Sequence, residues 1–166
     1  MRYHNITTND MKNGDGLRTV LWVAGCYHQC KNCHNPITWD PNGGIPFDKE
    51  AEEELFAKLN EKHISGITFS GGDPLNITNI NEISRLVKKV RDEFPNKTIW
   101  LYTGFTYEDI LCDNNMMNIL QNIDVLVDGL FIEELKDTNY HWAGSTNQRV
   151  INVPESLKEG KVIIHE

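Results

Sequence analysis

Hydrophobic and polar positions along the chain follow two patterns that take turns. Short apolar and β-branched runs at residues 19–24 (TVLWVA), 66–70 (GITFS), 98–103 (TIWLYT), 124–130 (DVLVDGL) and 149–153 (RVINV) predict buried strands. Between the first four lie three stretches with helical spacing. In residues 48–63, Ala51, Leu55 and Leu59 recur at i, i+4 and i+8, and the acids come early, where the helix dipole favours them. In residues 79–94, Ile80, Ile83, Val87, Val90 and Phe94 make one apolar stripe, opened by Asn79 and Glu82 at capping-box spacing. The third stretch starts at Thr106, with Asp109 three residues on, and carries Ile110, Met117 and Leu120 through a run of weak helix formers, CDNNMMN.

Strand, helix, strand in this order implies right-handed crossovers and a mainly parallel sheet, hence an α/β fold. A complete eight-stranded barrel takes roughly 200 residues or more, so a chain of 166 residues builds either an incomplete, open βα barrel or an open doubly wound sheet. The incomplete barrel is the expectation carried forward. Both architectures place ligands at the carboxyl ends of the strands. There the sequence sets GCYHQCKNCHNP after the first predicted strand, GGDPL after the second and TGF after the third, with Asp128 and Gly129 closing the fourth.

Composition narrows the function class. No repeat, low-complexity tract or long Pro/Gly/Ser linker divides the chain, so a single domain spanning 1–166 is expected. Sixteen Lys and Arg against twenty-four Asp and Glu give a net charge of -8, with the bases scattered among acids, which argues against a nucleic-acid partner. No apolar run approaches the roughly 20 residues of a membrane span, and the first residues are too polar for a secretory signal. A cytoplasmic protein without membrane attachment is expected. Four cysteines, three of them clustered, do not form a disulfide framework, and a reducing cytosol keeps such thiols free for metal or catalysis. Cys112, far from the others, reads as a partly buried helical cysteine.

Cys26, Cys30 and Cys33 have the spacing C-x3-C-x2-C. A structural zinc site needs a fourth ligand, for which His28 and His34 are the local candidates, although His34 adjoins Cys33. A bacterial ferredoxin run has C-x2-C spacings and a fourth cysteine nearby, and this loop has neither. Three thiolates on a 4Fe-4S cluster leave one iron without a protein ligand, and an open position is what a catalytic metal site keeps for its substrate. In SGGDPL, paired glycines let the backbone approach a ligand closely and Pro74 stiffens the turn.

The cysteine spacing after one strand, followed by Gly-Gly-Asp-Pro after the next, resembles the radical S-adenosylmethionine superfamily. The flanking stretches NGDGLRTVLWVAGC, CHNPITW, SGGDPL, IWLYTGF, VLVDGLF and WAGSTNQR are similar to those of the small glycyl-radical activases that serve anaerobic ribonucleotide reductase, along residues 13–153. This resemblance implies a 4Fe-4S cluster held by Cys26, Cys30 and Cys33 and an S-adenosylmethionine at its open iron. It implies that Asn32, Cys33 and His34 pass beside that cofactor, that Gly71, Gly72 and Asp73 meet its methionyl amino group, and that Asp128 lies near its carboxylate or caps a buried turn. A carbonyl-lined glycine turn beside a carboxylate suits an ammonium group. The partners implied are the glycyl-radical subunit of the reductase and an electron donor such as reduced flavodoxin.

Three positions depart from the common family pattern. Asp15 in NGDGLR stands where a proline is usual, Asn32 where relatives carry Gly or an aromatic, and His34 where Tyr is frequent. Asn tolerates a left-handed backbone, so the loop is expected to form. Residues 141–149 read either as a polar loop feeding the last strand or as part of a ligand or partner surface. No acid/base dyad or nucleophile triad is evident, and none is required where the cofactor supplies the chemistry. The alternatives kept open are an activase of another glycyl-radical enzyme, of the pyruvate formate-lyase type, and a non-enzymatic iron-sulfur or zinc module.

Overall fold

Strands form at all five expected places, with no end shifted by more than two residues, and two more precede or separate them. The structure, a computed structural model, describes residues 1–166. Its strands are β1 (Arg2–Asp10), β2 (Arg18–Val23), β3 (Ile45–Pro46), β4 (Gly66–Gly71), β5 (Thr98–Tyr102), β6 (Val125–Asp128) and β7 (Arg149–Asn152). The helices are α1 (Lys49–Leu59), α2 (Ile80–Glu93), α3 (Tyr107–Leu111), α4 (Asn114–Leu120) and α5 (Val153–Glu159).

One sheet joins the strands in the order β3-β1-β2-β4-β5-β6-β7. The inner run β2, β4, β5 and β6 is parallel, as the crossovers require, while β1, β3 and β7 are antiparallel to their neighbours. The sheet is open, as the expectation of an unclosed architecture requires: β3 and β7 are its edges and do not pair. Nor is the sheet doubly wound. Residues of all five helices share one buried cluster with Leu21, Val23, Ile67, Phe69, Ile99, Leu101, Leu126 and Ile151, so the helices cover a single face. Each fully buried Leu or Ile there contributes roughly 1.5–3 kcal/mol.

Local sequence accounts for most helix ends. Asp48 accepts from the Ala51 amide at the start of α1, and Thr106 with Asp109 forms the expected capping box of α3. The predicted third helix is broken at Cys112 and Asp113, where the Asp113 side chain caps α4 by accepting from the Met116 amide. Asn79 does not cap α2. Its amide is turned inward and donates to the carbonyls of Ala24 and Asp73, buried acceptors that need a partner. The unforeseen α5 has the Asn152 cap, Pro154 near its start and left-handed Gly160 at its end.

The other face of the sheet carries Trp100, Val125, Val127 and Val150 together with the fully buried Arg18. Arg18 donates to Thr68 Oγ1 (2.8 Å), Thr98 Oγ1 (2.8 Å) and the carbonyls of Asp15 (3.0 Å), Ile67 (2.7 Å) and Thr98 (2.8 Å), and it lies 5.5 Å from the Trp100 ring centroid. Burial pushes its guanidinium down to about 10. Every donor is satisfied, which is what makes a buried cation tolerable. No helix is long and apolar enough to cross a membrane.

Candidate functional site

The carboxyl ends of the parallel strands open into a cavity of about 360 Å³. Cys26, Cys30 and Cys33 line it from the loop after β2, Gly71, Gly72 and Asp73 from the turn after β4, and Thr103 with Gly104 from the turn after β5. His34 lines it as well. Parallel register produces this convergence: Trp22 pairs with Ser70 and Val23 with Gly71, so the two loops leave the sheet side by side.

Backbone bonds then hold the loops together. Gly25 donates to the Thr38 carbonyl (2.7 Å), Cys26 to that of Trp39 (3.0 Å), Gly72 to that of Val23 (2.8 Å) and Asp73 to that of Gly25 (2.8 Å). Gly71 has φ +101°, and a Cβ there would lie 2.6 Å from the Val23 nitrogen, so only glycine fits the turn. Asn32 adopts the expected left-handed backbone, φ +55°, but it is exposed and does not line the cavity.

All four cysteines are free thiols, and Cys112 is exposed at the end of α3 rather than partly buried in a helix. Burial pushes the Cys26 thiol up to about 11, opposed by the His28 amide, and raises Cys30 as well. The Asn35 amide donates to Cys33 Sγ at 3.4 Å. Ligation of a metal therefore has to drive off protons, as it does for any thiolate site. Three thiols facing one cavity, with no fourth cysteine in its lining, suit a 4Fe-4S cluster with one open iron.

Asp73 is 2% exposed and has no oxygen to spare. Its Oδ1 accepts from the Leu75 amide and Thr103 Oγ1 (2.9 Å each), and its Oδ2 from the Gly104 amide (3.0 Å), Thr103 Oγ1 (2.9 Å) and His28 Nε2 (2.6 Å). The bond to Asp73 raises the His28 pKa against the effect of burial. Asp128 is also buried and lies outside the cavity. Its carboxylate accepts from the Tyr107 amide (2.8 Å) and from Arg149 Nη2 (2.6 Å), and it lines a neighbouring hollow with Thr106 and Asn147.

Residues 141–149 are part of the site. Trp142, Ala143, Gly144 and Gln148 line the same cavity as the cysteines. Gln148 Oε1 accepts from the amides of Gly144 (2.9 Å) and Ser145 (3.1 Å), while its Nε2 donates to the Gly129 carbonyl (3.0 Å). Asn147 Nδ2 donates to the Leu130 carbonyl (2.7 Å). These bonds tie the GSTNQR segment to the VDGLF segment and hold the Phe131 ring against His34, 5.1 Å between centroids. Sequence reasoning left this loop undecided because its polar side chains serve the backbone of another loop, and no spacing rule reports that.

A family model described as a 4Fe-4S single cluster domain matches residues 12–151. Relatives named anaerobic ribonucleoside-triphosphate reductase-activating protein from Salmonella typhimurium and Escherichia coli K12 are 43% and 42% identical over 152 residues, which is 90% of this chain and 97% of each relative. A protein of the same name from Enterobacteria phage T4 is 42% identical over 150 residues, covering 90% of this chain and 93% of its own length. The chain belongs to this family of activating proteins. The family resemblance carried by the cysteine, glycine and GSTNQR stretches is thereby borne out, and the match to a 4Fe-4S domain favours an iron-sulfur cluster over structural zinc. Thr103 and Gly104 of TGF and Gln148 of GSTNQR lie in stretches the sequence marked without giving those residues a role, and His28 was offered only as a zinc ligand.

Proposed function

We propose that this activating protein generates the glycyl radical of an anaerobic ribonucleoside-triphosphate reductase. The observation that carries the proposal is the convergence of three free cysteines and a glycine turn on one cavity, in a chain that shares nine-tenths of its length with proteins named for that activation. Cys26, Cys30 and Cys33 would hold a 4Fe-4S cluster there, and the chemistry it would supply is one electron for reductive cleavage of S-adenosylmethionine to methionine and a 5'-deoxyadenosyl radical, able to take a Cα hydrogen from a glycine of the reductase.

The chain's own residues bind, orient and shield. Gly71 and Gly72 bring backbone within reach of the methionyl ammonium, with Asp73 fixing the turn from behind. Cys33 and His34 flank the cofactor, Asn32 supports the loop through its left-handed backbone, and Asp128 holds the end of β6 and the start of α3. Phe131 and Trp142, both in the cavity wall, exclude water from it. The open sheet edge leaves a path for a polypeptide glycine, as one incomplete-barrel unit spanning 1–166 requires. The reductase and a flavodoxin-type electron donor are the expected partners, and a reducing cytoplasm is the compartment that keeps the thiols free.

The test is anaerobic purification, reduction and addition of S-adenosylmethionine. 5'-Deoxyadenosine is expected from the wild-type chain and falls at least about 100-fold in Cys30→Ala, because an iron that loses its ligand destroys the site. Mixing with the reductase then gives a glycyl-radical EPR signal. A colourless protein that yields no 5'-deoxyadenosine would sink the proposal, and a signal only with another glycyl-radical enzyme would reassign the partner.

A further inference from the structure

Gly-Gly-Asp turns suggest a carboxylate that greets an incoming ammonium, yet the Asp73 carboxylate faces three loops of its own protein. Its five hydrogen bonds come from the turn after β4, from Thr103 and Gly104 after β5, and from His28 between Cys26 and Cys30. An ionised carboxylate is acceptor-only, so His28 Nε2 carries the proton in this bond. Beyond this bond, the side chains of the loop from Cys26 to Asn35 reach the rest of the protein through the Cys30 thiol, which the Phe131 backbone meets.

The imidazole is confined on its remaining sides. Its edge meets the Phe105 ring at 4.8 Å and 74°, and a Cβ at Gly104 would stand 2.5 Å from His28 Cδ2 and 2.7 Å from Nε2. Cys26 Sγ, a His28 ring nitrogen and an Asp73 oxygen lie within 4.8 Å of one another. Backbone bonds anchor the root of the cysteine loop at Gly25 and Cys26, and the part-buried His28–Asp73 bond ties its middle to the glycine turn.

We infer that His28 and Asp73 form a latch that sets the cysteine loop against the Gly71–Gly72 turn, making both of them positioning residues rather than ligands of the cofactor. The inference rests on the proposed function in that S-adenosylmethionine bridges the cluster and the glycine turn. The ammonium is then met by backbone carbonyls, and the latch supplies the distance between the open iron and those carbonyls.

The experiment uses the full chain, handled without oxygen, as wild type, His28→Phe, His28→Gln and Asp73→Asn. In iron-free protein, amide hydrogen exchange across residues 26–35 is expected to quicken about ten-fold in His28→Phe and Asp73→Asn, as loss of one buried bond allows. His28→Gln, whose amide reaches the carboxylate, recovers most of the protection. After reconstitution, iron and sulfide content match the wild type because the three cysteines remain. The Kd for S-adenosylmethionine, read from its effect on the EPR signal of the reduced cluster, rises about ten-fold in His28→Phe and Asp73→Asn alike. Unchanged exchange in both variants would overturn the latch. So would affinity lost in Asp73→Asn but kept in His28→Phe, which would return the carboxylate to the ammonium. A wild-type chain that takes up no cluster would end the functional proposal, while the exchange result would still decide the latch.

Discussion

Gly104 shows how much one missing methyl group can matter at the residue scale. The position lies against the face of His28, and the nearest ring atom would be 2.5 Å from a Cβ, well inside any real contact. Gly104→Ala is expected to lower stability by about 1–3 kcal/mol through overpacking. The His28→Ala background removes the clash, so the double variant should lose much less than the sum of the two single changes, a coupling that thermal unfolding of the four proteins measures. Additive losses would place the cost in the Gly104 backbone instead. The glycine was legible in TGF, but its reason was not, because the side chain it accommodates lies 76 residues away in sequence.

Elements are joined across the sheet edge by Arg149 of β7. Arg149 Nη2 donates to Glu108 Oε2 of α3 at 2.7 Å and also to the buried Asp128 at 2.6 Å. The hydrogen bond from Arg149 holds the Glu108 pKa below the usual carboxylate range. A carboxyl depressed on folding stabilises the protein above its unfolded pKa and stops doing so as pH falls through the folded value. Glu108 is 61% exposed at its side chain, so the pair is worth at most about 1 kcal/mol. Glu108→Gln should therefore cost a few tenths of a kcal/mol at neutral pH, and the gap between its urea midpoint and that of the wild type should close as the pH is lowered past the carboxylate range. A gap that persists in acid would mean that the charge contributes nothing. The helix and strand themselves were readable from periodicity; their tie was not, since Glu108 and Arg149 each look like ordinary surface charges.

Over the whole molecule, the last residues close the sheet face opposite the helices. Asn152 donates to the Ile163 carbonyl and His165 to that of Val150, 2.8 Å each, while His165 Nε2 pairs with Asp15 Oδ2 at 2.6 Å and its ring packs 5.2 Å from Trp100. Asp15 stands where the family pattern has a proline, and its bond to His165 restrains the turn by a different means. Removing residues 163–166 should cost about 1–3 kcal/mol, from several hydrogen bonds worth about 1 kcal/mol each less the entropy of a freed tail. Urea unfolding followed by tryptophan fluorescence reads this directly, and an unchanged midpoint would show that the tail contributes no net stability.

Periodicity alone determined five strands and the apolar stripes of α1 and α2, because burial on one helix face or within a parallel sheet writes itself into residue order. The same order supplied the cysteine loop and the glycine turn, each a local motif whose chemistry depends on neighbours a few residues apart. Tertiary structure decided what depends on distant partners. β1 was hidden because RYHNITTND is an edge-flanking strand with only Tyr3 and Ile6 fully buried, and β3 because two paired residues carry no period. The sheet stays open because its edge strands do not pair, and the Asp73 carboxylate is occupied within the protein because Thr103 and Gly104 reach it from one distant loop and His28 from another.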